Sequence, residues 1–260
     1  MKLLKILGYV FGFIGLVLLF LVVFDYDYLL RGVRLTYLKG YTTAYISDYH
    51  SFDNRIIEAG DQAWEWPKTT DYNEIPPTPE FDELNKKLNT VAFLIIKNDS
   101  LWYEQYFDEY TPAIRSNSFS MAKSITVALL GKAIMEGHIE SLNQPVADFY
   151  PQFSEKLKVG DLASMASGLN WKEDYYNPFG QTARAYYGND ISKLIMELEV
   201  IEEPGEEFKY LSGNTQLLGM IISKATGKSL SQYLSESFWK PMGRQSNGFW
   251  RLDSENSGML

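Results

Sequence analysis

The stretch "SNSFSMAKSITVALLGKAIMEG", residues 116 to 137, sets Ser120 and Lys123 three apart at the opening of an apolar, helix-periodic run that ends at Gly137. If a helix starts at Ser120, both side chains lie on one face, within reach of a direct hydrogen bond. A helix N-terminus also presents unpaired N–H groups and the positive end of its dipole, both favourable to a developing oxyanion. The same letters read equally well as an N-cap serine followed by an ordinary lysine. Spacing alone does not separate the two readings, because a chain of this length yields about one S-x-x-K match by chance. A second match, Ser237 with Lys240 in "SESFWKP", abuts Pro241 at a helix end and reads as structural.

Histidine, the commonest general base, narrows the choice. Only His50 and His138 occur. His50 lies in an irregular segment, and His138 sits at the far end of the helix that Ser120 opens, about 27 Å away by helical rise. Both read as surface or structural residues, so a Ser-His-Asp triad or a histidine-rich metal site is hard to assemble. A serine nucleophile in this chain calls on lysine instead, with a neutral Lys123 accepting the Ser120 proton. The chain has no cysteine, which excludes disulfides, thiolate zinc sites and a cysteine nucleophile. Its formal net charge of -9, from 33 acidic against 24 basic residues with no basic cluster, argues against nucleic acid as a partner.

At the N-terminus, Lys2 and Lys5 precede an uncharged, mostly apolar run from Ile6 to Phe24. Such a run matches a hydrocarbon core of about 30 Å. It ends in Asp25, Tyr26, Asp27 and Tyr28 without a small-residue cleavage site, so residues 1–28 read as an uncleaved membrane anchor. The early lysines favour a cytoplasmic N-terminus; Arg31, Arg34 and Lys39 on the far side weaken that asymmetry.

Residues 29–79 are aromatic, polar and proline-spotted without a sustained period, and read as an irregular linker or wrapping segment. "PEFDELNKKLNT", residues 79 to 90, reads as a helix with acids early and lysines late. Two strand-like runs, 91–97 and 101–107, flank the turn residues Asn98, Asp99 and Ser100 and signal a β-hairpin. Beyond it the chain is mainly helical, with short helices in "VGDLASMASGL" and "NDISKLIMELEV" and two more separated at Gly227. The expected class is α+β, and no strands to partner the hairpin stand out downstream.

Three blocks, "SFSMAKS", "LKVGDLASMASGLNW" and "EEPGEEFKYLSGNTQLLGMIISKATGKSLSQYLSESFWKPMG", resemble in order and spacing the serine hydrolases of the β-lactamase and penicillin-binding superfamily. The resemblance covers about residues 75 to 260 and is nearest to the class C-like esterases and 6-aminohexanoate-dimer hydrolases. It implies a β-lactamase/transpeptidase-like fold in which Ser120 is acylated and Lys123 assists. The family's Y-x-N or Y-x-S motif falls on Tyr210, Leu211 and Ser212. Tyr210 would then relay a proton to the leaving group, a role suited to a phenol beside a lysine. Ser212 would be a polar wall residue touching Lys123 or substrate. The loop "SGLNWKEDYYNPFG" offers Trp171, Tyr175 and Tyr176 as lining of the substrate cleft, or as packing.

The family's third motif, Lys or His followed by Ser or Thr and Gly, does not occur. The resemblance therefore implies, for residues 80–260, a partial domain lacking its C-terminal strands, with only the N-terminal hairpin of the antiparallel sheet. A C-terminally truncated member of this kind would be weakly stable and nearly inactive, since one missing oxyanion donor costs about 2.7–4 kcal/mol. The leading expectation is a serine hydrolase acting on an ester, amide or peptide, without metal or organic cofactor. It is anchored in the cytoplasmic (inner) membrane of a bacterium, with its catalytic part on the outer, periplasmic side. The alternatives are a penicillin-recognising peptidase or β-lactamase and, in another class, a non-catalytic membrane-tethered module that binds peptide or cell-wall fragments.

Overall fold

The structure, a computed structural model, describes residues 2–254. Helix α1 (Lys2–Val23) is apolar on every side, and its Leu4–Val23 portion contacts nothing that buries it. It is long enough to cross a bilayer core. After a four-residue link, α2 (Tyr28–Leu35) turns Tyr28, Gly32 and Leu35 inward, a 4-and-3 spacing that puts them on one helical face. Gly32 allows a close approach there: a Cβ would stand 3.3 Å from the ring of Tyr187 on α6 (Gln181–Tyr187), against which α2 packs.

The structure corrects two expectations. Residues 29–79 are not an irregular linker throughout, because they contain most of α2 and a short strand, β1 (Asn54–Ile57). The antiparallel structure is not limited to the hairpin either. β1 pairs with a strand near the other end of the described chain, β4 (Gly248–Arg251), with Asn54 opposite Arg251 and Ile57 opposite Gly248. Ile57 and Trp250 enter the hydrophobic core. Four-residue strands are too short to show a period, and their pairing is read only in three dimensions.

A buried polar cluster fastens the same region. The Asp48 carboxylate, 1 % exposed, accepts from the Tyr186 hydroxyl at 2.9 and 3.0 Å and from Asn117 Nδ2 at 2.6 Å. The Arg251 guanidinium lies between the rings of Phe52 and Tyr186, 3.4 and 3.8 Å from their centroids, and donates to the Tyr186 carbonyl. Parts of the chain far apart in sequence thus share one network whose members are costly to remove singly.

The hairpin forms as read, from β2 (Ala92–Lys97) and β3 (Ser100–Tyr106). Asn98 and Asp99 take φ values of 48° and 57°, the pair of positive angles a type I′ turn requires. The outer edge of β3 is covered by the chain ahead of it. Leu101 N–H donates to the Pro67 carbonyl at 2.7 Å, and the Asn73 amide bonds both backbone groups of Glu104. An open strand edge is blunted in this way without a further strand. Helix α3 (Pro79–Lys87) is capped by Thr78, whose hydroxyl accepts from Phe81 N–H, and Phe81 meets Phe93 and Tyr103 edge-on.

The helical block holds the core. α4 (Met121–Met135) packs on α8 (Ser212–Thr226), with Leu129, Leu130 and Ala133 facing Leu217, Leu218, Ile221 and Ile222 in one apolar cluster. α5 (Val159–Ala163) and α7 (Ile191–Met196) close two sides, and α9 (Leu230–Leu234) runs on into a π turn over Ser235–Trp239. Gly227, left-handed at φ 68°, ends α8 as read. Lys240 of the second S-x-x-K match pairs with Glu58, a surface structural role.

Candidate active site

The chain enters α4 through a tight turn. Met121 and Ala122 donate to the carbonyls of Ser118 and Phe119 at 3.1 and 3.0 Å, and Phe119 is held at φ 44°, left-handed for a bulky residue. Such backbone costs about 1–3 kcal/mol and persists only where its surroundings impose it. It leaves Ser120 exposed at the start of the helix. One turn on, half-buried Lys123 brings Nζ to 3.3 Å from Ser120 Oγ. The same Nζ lies over the ring of Tyr210, 5.1 Å from its centroid. Lys123 thus touches Ser120 on its own helical turn and Tyr210 from a distant part of the chain, at the N-terminal ends of α4 and α8.

The two downstream sequence blocks are fastened to each other by backbone. Lys209 donates to Met165 at 2.7 Å, Gly205 to Ala166 at 2.8 Å and Ile201 to Gly168 at 2.9 Å. Beneath them the buried Ser167 hydroxyl bonds Asn214 Oδ1 at 2.5 Å. This zipper sets Tyr210 ahead of α8 and brings the loop after Leu169 alongside it.

Glu173 is the residue that reading the sequence missed. Its carboxylate accepts Ser212 N–H at 2.6 Å, Ser212 Oγ–H at 2.7 Å and Trp171 Nε1–H at 2.8 Å. Ser212 is the first residue of α8, so the carboxylate also faces the positive end of that helix dipole. Trp171 reaches this position because Gly213 has no side chain; a Cβ there would come within 2.8 Å of the indole. The hydroxyl of Ser212, expected to line the cleft, is therefore engaged with Glu173. Only the aromatic letters around "WKEDYY" stood out in sequence, and a lone glutamate among them carried no signal.

Tyr175 lies on the same carboxylate. Partial desolvation, and then the hydrogen bond to Glu173, push its phenol well above the usual tyrosine value, so it stays protonated. Tyr176 is 94 % exposed. His138 sits 3.8 Å from Glu136 at the distal end of α4, and His50 stacks beside Tyr49. Among the described residues there is no group of three His, Cys, Asp or Glu arranged to hold a metal ion.

Comparison with known families decides the kinship. The family model described as Beta-lactamase matches residues 60–258. The chain belongs to the beta-lactamase family. Its curated relatives include protein flp of Staphylococcus aureus (strain COL), 29% identical over 167 residues that make up 58% of this chain and 33% of flp. Another is the 6-aminohexanoate-dimer hydrolase of Paenarthrobacter ureafaciens, 24% identical over 194 residues, 69% of this chain and 49% of the relative. This beta-lactamase family member thus spans between a third and a half of those proteins' lengths. Among solved structures it is similar to a putative 6-aminohexanoate-dimer hydrolase from Bacillus anthracis, with a TM-score of 0.68 and 23% identity over 88% of this chain and 64% of that one. It is also similar to a putative beta-lactamase from Bacteroides dorei, with a TM-score of 0.53 and 22% identity over 64% of this chain and 51% of that one. The fold is accordingly beta-lactamase-like.

Proposed function

We propose that the chain carries the acylating half of a serine hydrolase that cleaves an ester or amide through an acyl-enzyme. The observation that carries this reading is the 3.3 Å approach of Lys123 Nζ to Ser120 Oγ at the mouth of α4. Ser120 Oγ attacks the carbonyl carbon and gives its proton to neutral Lys123, while the carbonyl becomes an oxyanion facing the helix N-terminus. The bond to the leaving group breaks, and the leaving atom takes a proton relayed through the Tyr210 hydroxyl. Water then adds to the acyl carbon, the bond to Oγ breaks, the acid departs and Ser120 regains its proton. Glu173 positions the Tyr210–Ser212 turn, and Tyr175 and Tyr176 border the cleft. No step calls for a metal or organic cofactor.

Support comes from membership of the beta-lactamase family and from a relative named 6-aminohexanoate-dimer hydrolase. The family description also favours a second reading, acylation by a penicillin with the same three residues. We further place α1 in the cytoplasmic membrane as a single span, since it is apolar and unburied, with the catalytic part on its outer face because Lys2 and Lys5 precede the apolar run. The test is covalent labelling. A fluorophosphonate should modify the protein at Ser120, and Ser120→Ala and Lys123→Ala should both abolish it; a penicillin probe separates the second reading. Labelling that survives Ser120→Ala, or ligand binding without any adduct, would overturn the proposal.

A further inference from the structure

The loop beside the candidate site and the end of α1 are neighbours. Asp25, two residues past α1, pairs with Lys193 on α7 at 2.7 Å. The next residue, Tyr26, meets Phe179 edge-on with ring centroids 6.1 Å apart. Phe179 lies four residues beyond Tyr175, on the loop that carries Glu173. The loop that carries Glu173 and Tyr175 therefore rests against the end of α1, where on the reading above the chain enters or leaves the bilayer.

The outer face of α2 fits the same surface. Tyr28, Gly32 and Leu35 are buried, which turns Leu30, Val33 and then Tyr37 and Leu38 outward, with Leu38 77 % exposed. Arg34 and Lys39 stand among them. Apolar tips interleaved with cations suit an anionic bilayer surface, and Phe24 and Tyr26 fall where an aromatic belt would lie. The link from Val23 to Tyr28 can span at most about 18 Å, so α2 begins close to the end of the span.

We propose that the Leu30–Lys39 face docks on the anionic bilayer surface and that the cleft takes a bilayer-resident amphiphile. The scissile ester or amide of that substrate lies at headgroup depth while its hydrocarbon stays in the leaflet. Tyr176 and Phe179, both exposed on the loop between the candidate site and α1, would be the rings such a substrate meets. The substrate clause rests on the hydrolase reading; the docking clause does not.

The natural lack of cysteine allows single-cysteine fluorophore labels on the full chain in phosphatidylglycerol-containing vesicles. With nitroxide lipids quenching at headgroup depth, labels at Leu38→Cys and Phe179→Cys should be quenched, and one at Met135→Cys, at the far end of α4, should not. Equal quenching at all three positions overturns the docking. In the same vesicles a long-alkyl fluorophosphonate should label Ser120 at least about tenfold faster than a short water-soluble one, because its chain concentrates it in the bilayer. Leu38→Glu should reduce that preference without slowing the short probe. Equal rates for both probes overturn the substrate class. If neither probe labels Ser120, the hydrolase reading and the substrate clause both fail, while the quenching still decides the docking.

Discussion

Glu173 holds Ser212 by two of its atoms, accepting the backbone N–H at 2.6 Å and the hydroxyl at 2.7 Å. A carboxylate so placed fixes both the first residue of α8 and, two positions earlier, the approach of Tyr210 to Lys123. Glu173→Gln keeps the size but removes the charge and one acceptor oxygen. Losing charge-assisted hydrogen bonds of about 1.5–3 kcal/mol corresponds to about ten- to hundredfold slower acylation if they shape the site. Stopped-flow labelling with a fluorophosphonate, beside a thermal unfolding curve, checks whether the loss is kinetic or merely structural.

Tyr210→Phe retains the ring beside Lys123 Nζ and deletes only the hydroxyl. Folding should be unaffected, while release of a poor leaving group slows by about 10²–10⁴-fold, the usual range for a positioned acid. Comparing esters with good and poor leaving groups reads this directly: a phenol that only packs would leave their ratio unchanged.

Gly168 adopts φ +69°, and a Cβ on it would stand 2.4 Å from the Glu202 carbonyl. Gly168→Ala should therefore open the backbone zipper between the two blocks that support Tyr210. A destabilisation of about 1–3 kcal/mol is expected from the strain alone, measurable as a lower urea midpoint in mild detergent.

Tyr187, beneath α2, has its phenol pushed up to about 12 by burial and then by the Asp48 charge; Tyr186 moves the same way. The folded state keeps these protons when the unfolded chain, with tyrosines near 10.0, has released them. Stability is thus fully present below about pH 10 and falls as pH rises toward about pH 12. Thermal midpoints taken across that window should drop, and Tyr187→Phe should flatten part of the slope.

What could be read from sequence was local. Asn98-Asp99 announces the hairpin turn, the segment from Pro79 the start of α3 and Gly227 the end of α8, because each acts through its own local backbone. Ser120 and Lys123 were legible for the same reason, since one helical turn joins them. The pairing of β1 with β4, the Asp48–Tyr186–Arg251 cluster and the hold of Glu173 on Ser212 were not. Each joins residues tens to hundreds of positions apart, and none leaves a periodic trace in either partner.

The pairing of Asn54 with Arg251 separates the two strands by 197 positions, 251 less 54. At about 5–20 residues synthesised per second, β1 leaves the ribosome about 10–40 s before its partner exists. During that interval its edge, and the apolar Ile57 behind it, have no native cover. The nascent chain therefore carries its greatest risk of mispairing early, and β4, made long after β1, is the strand that ends it.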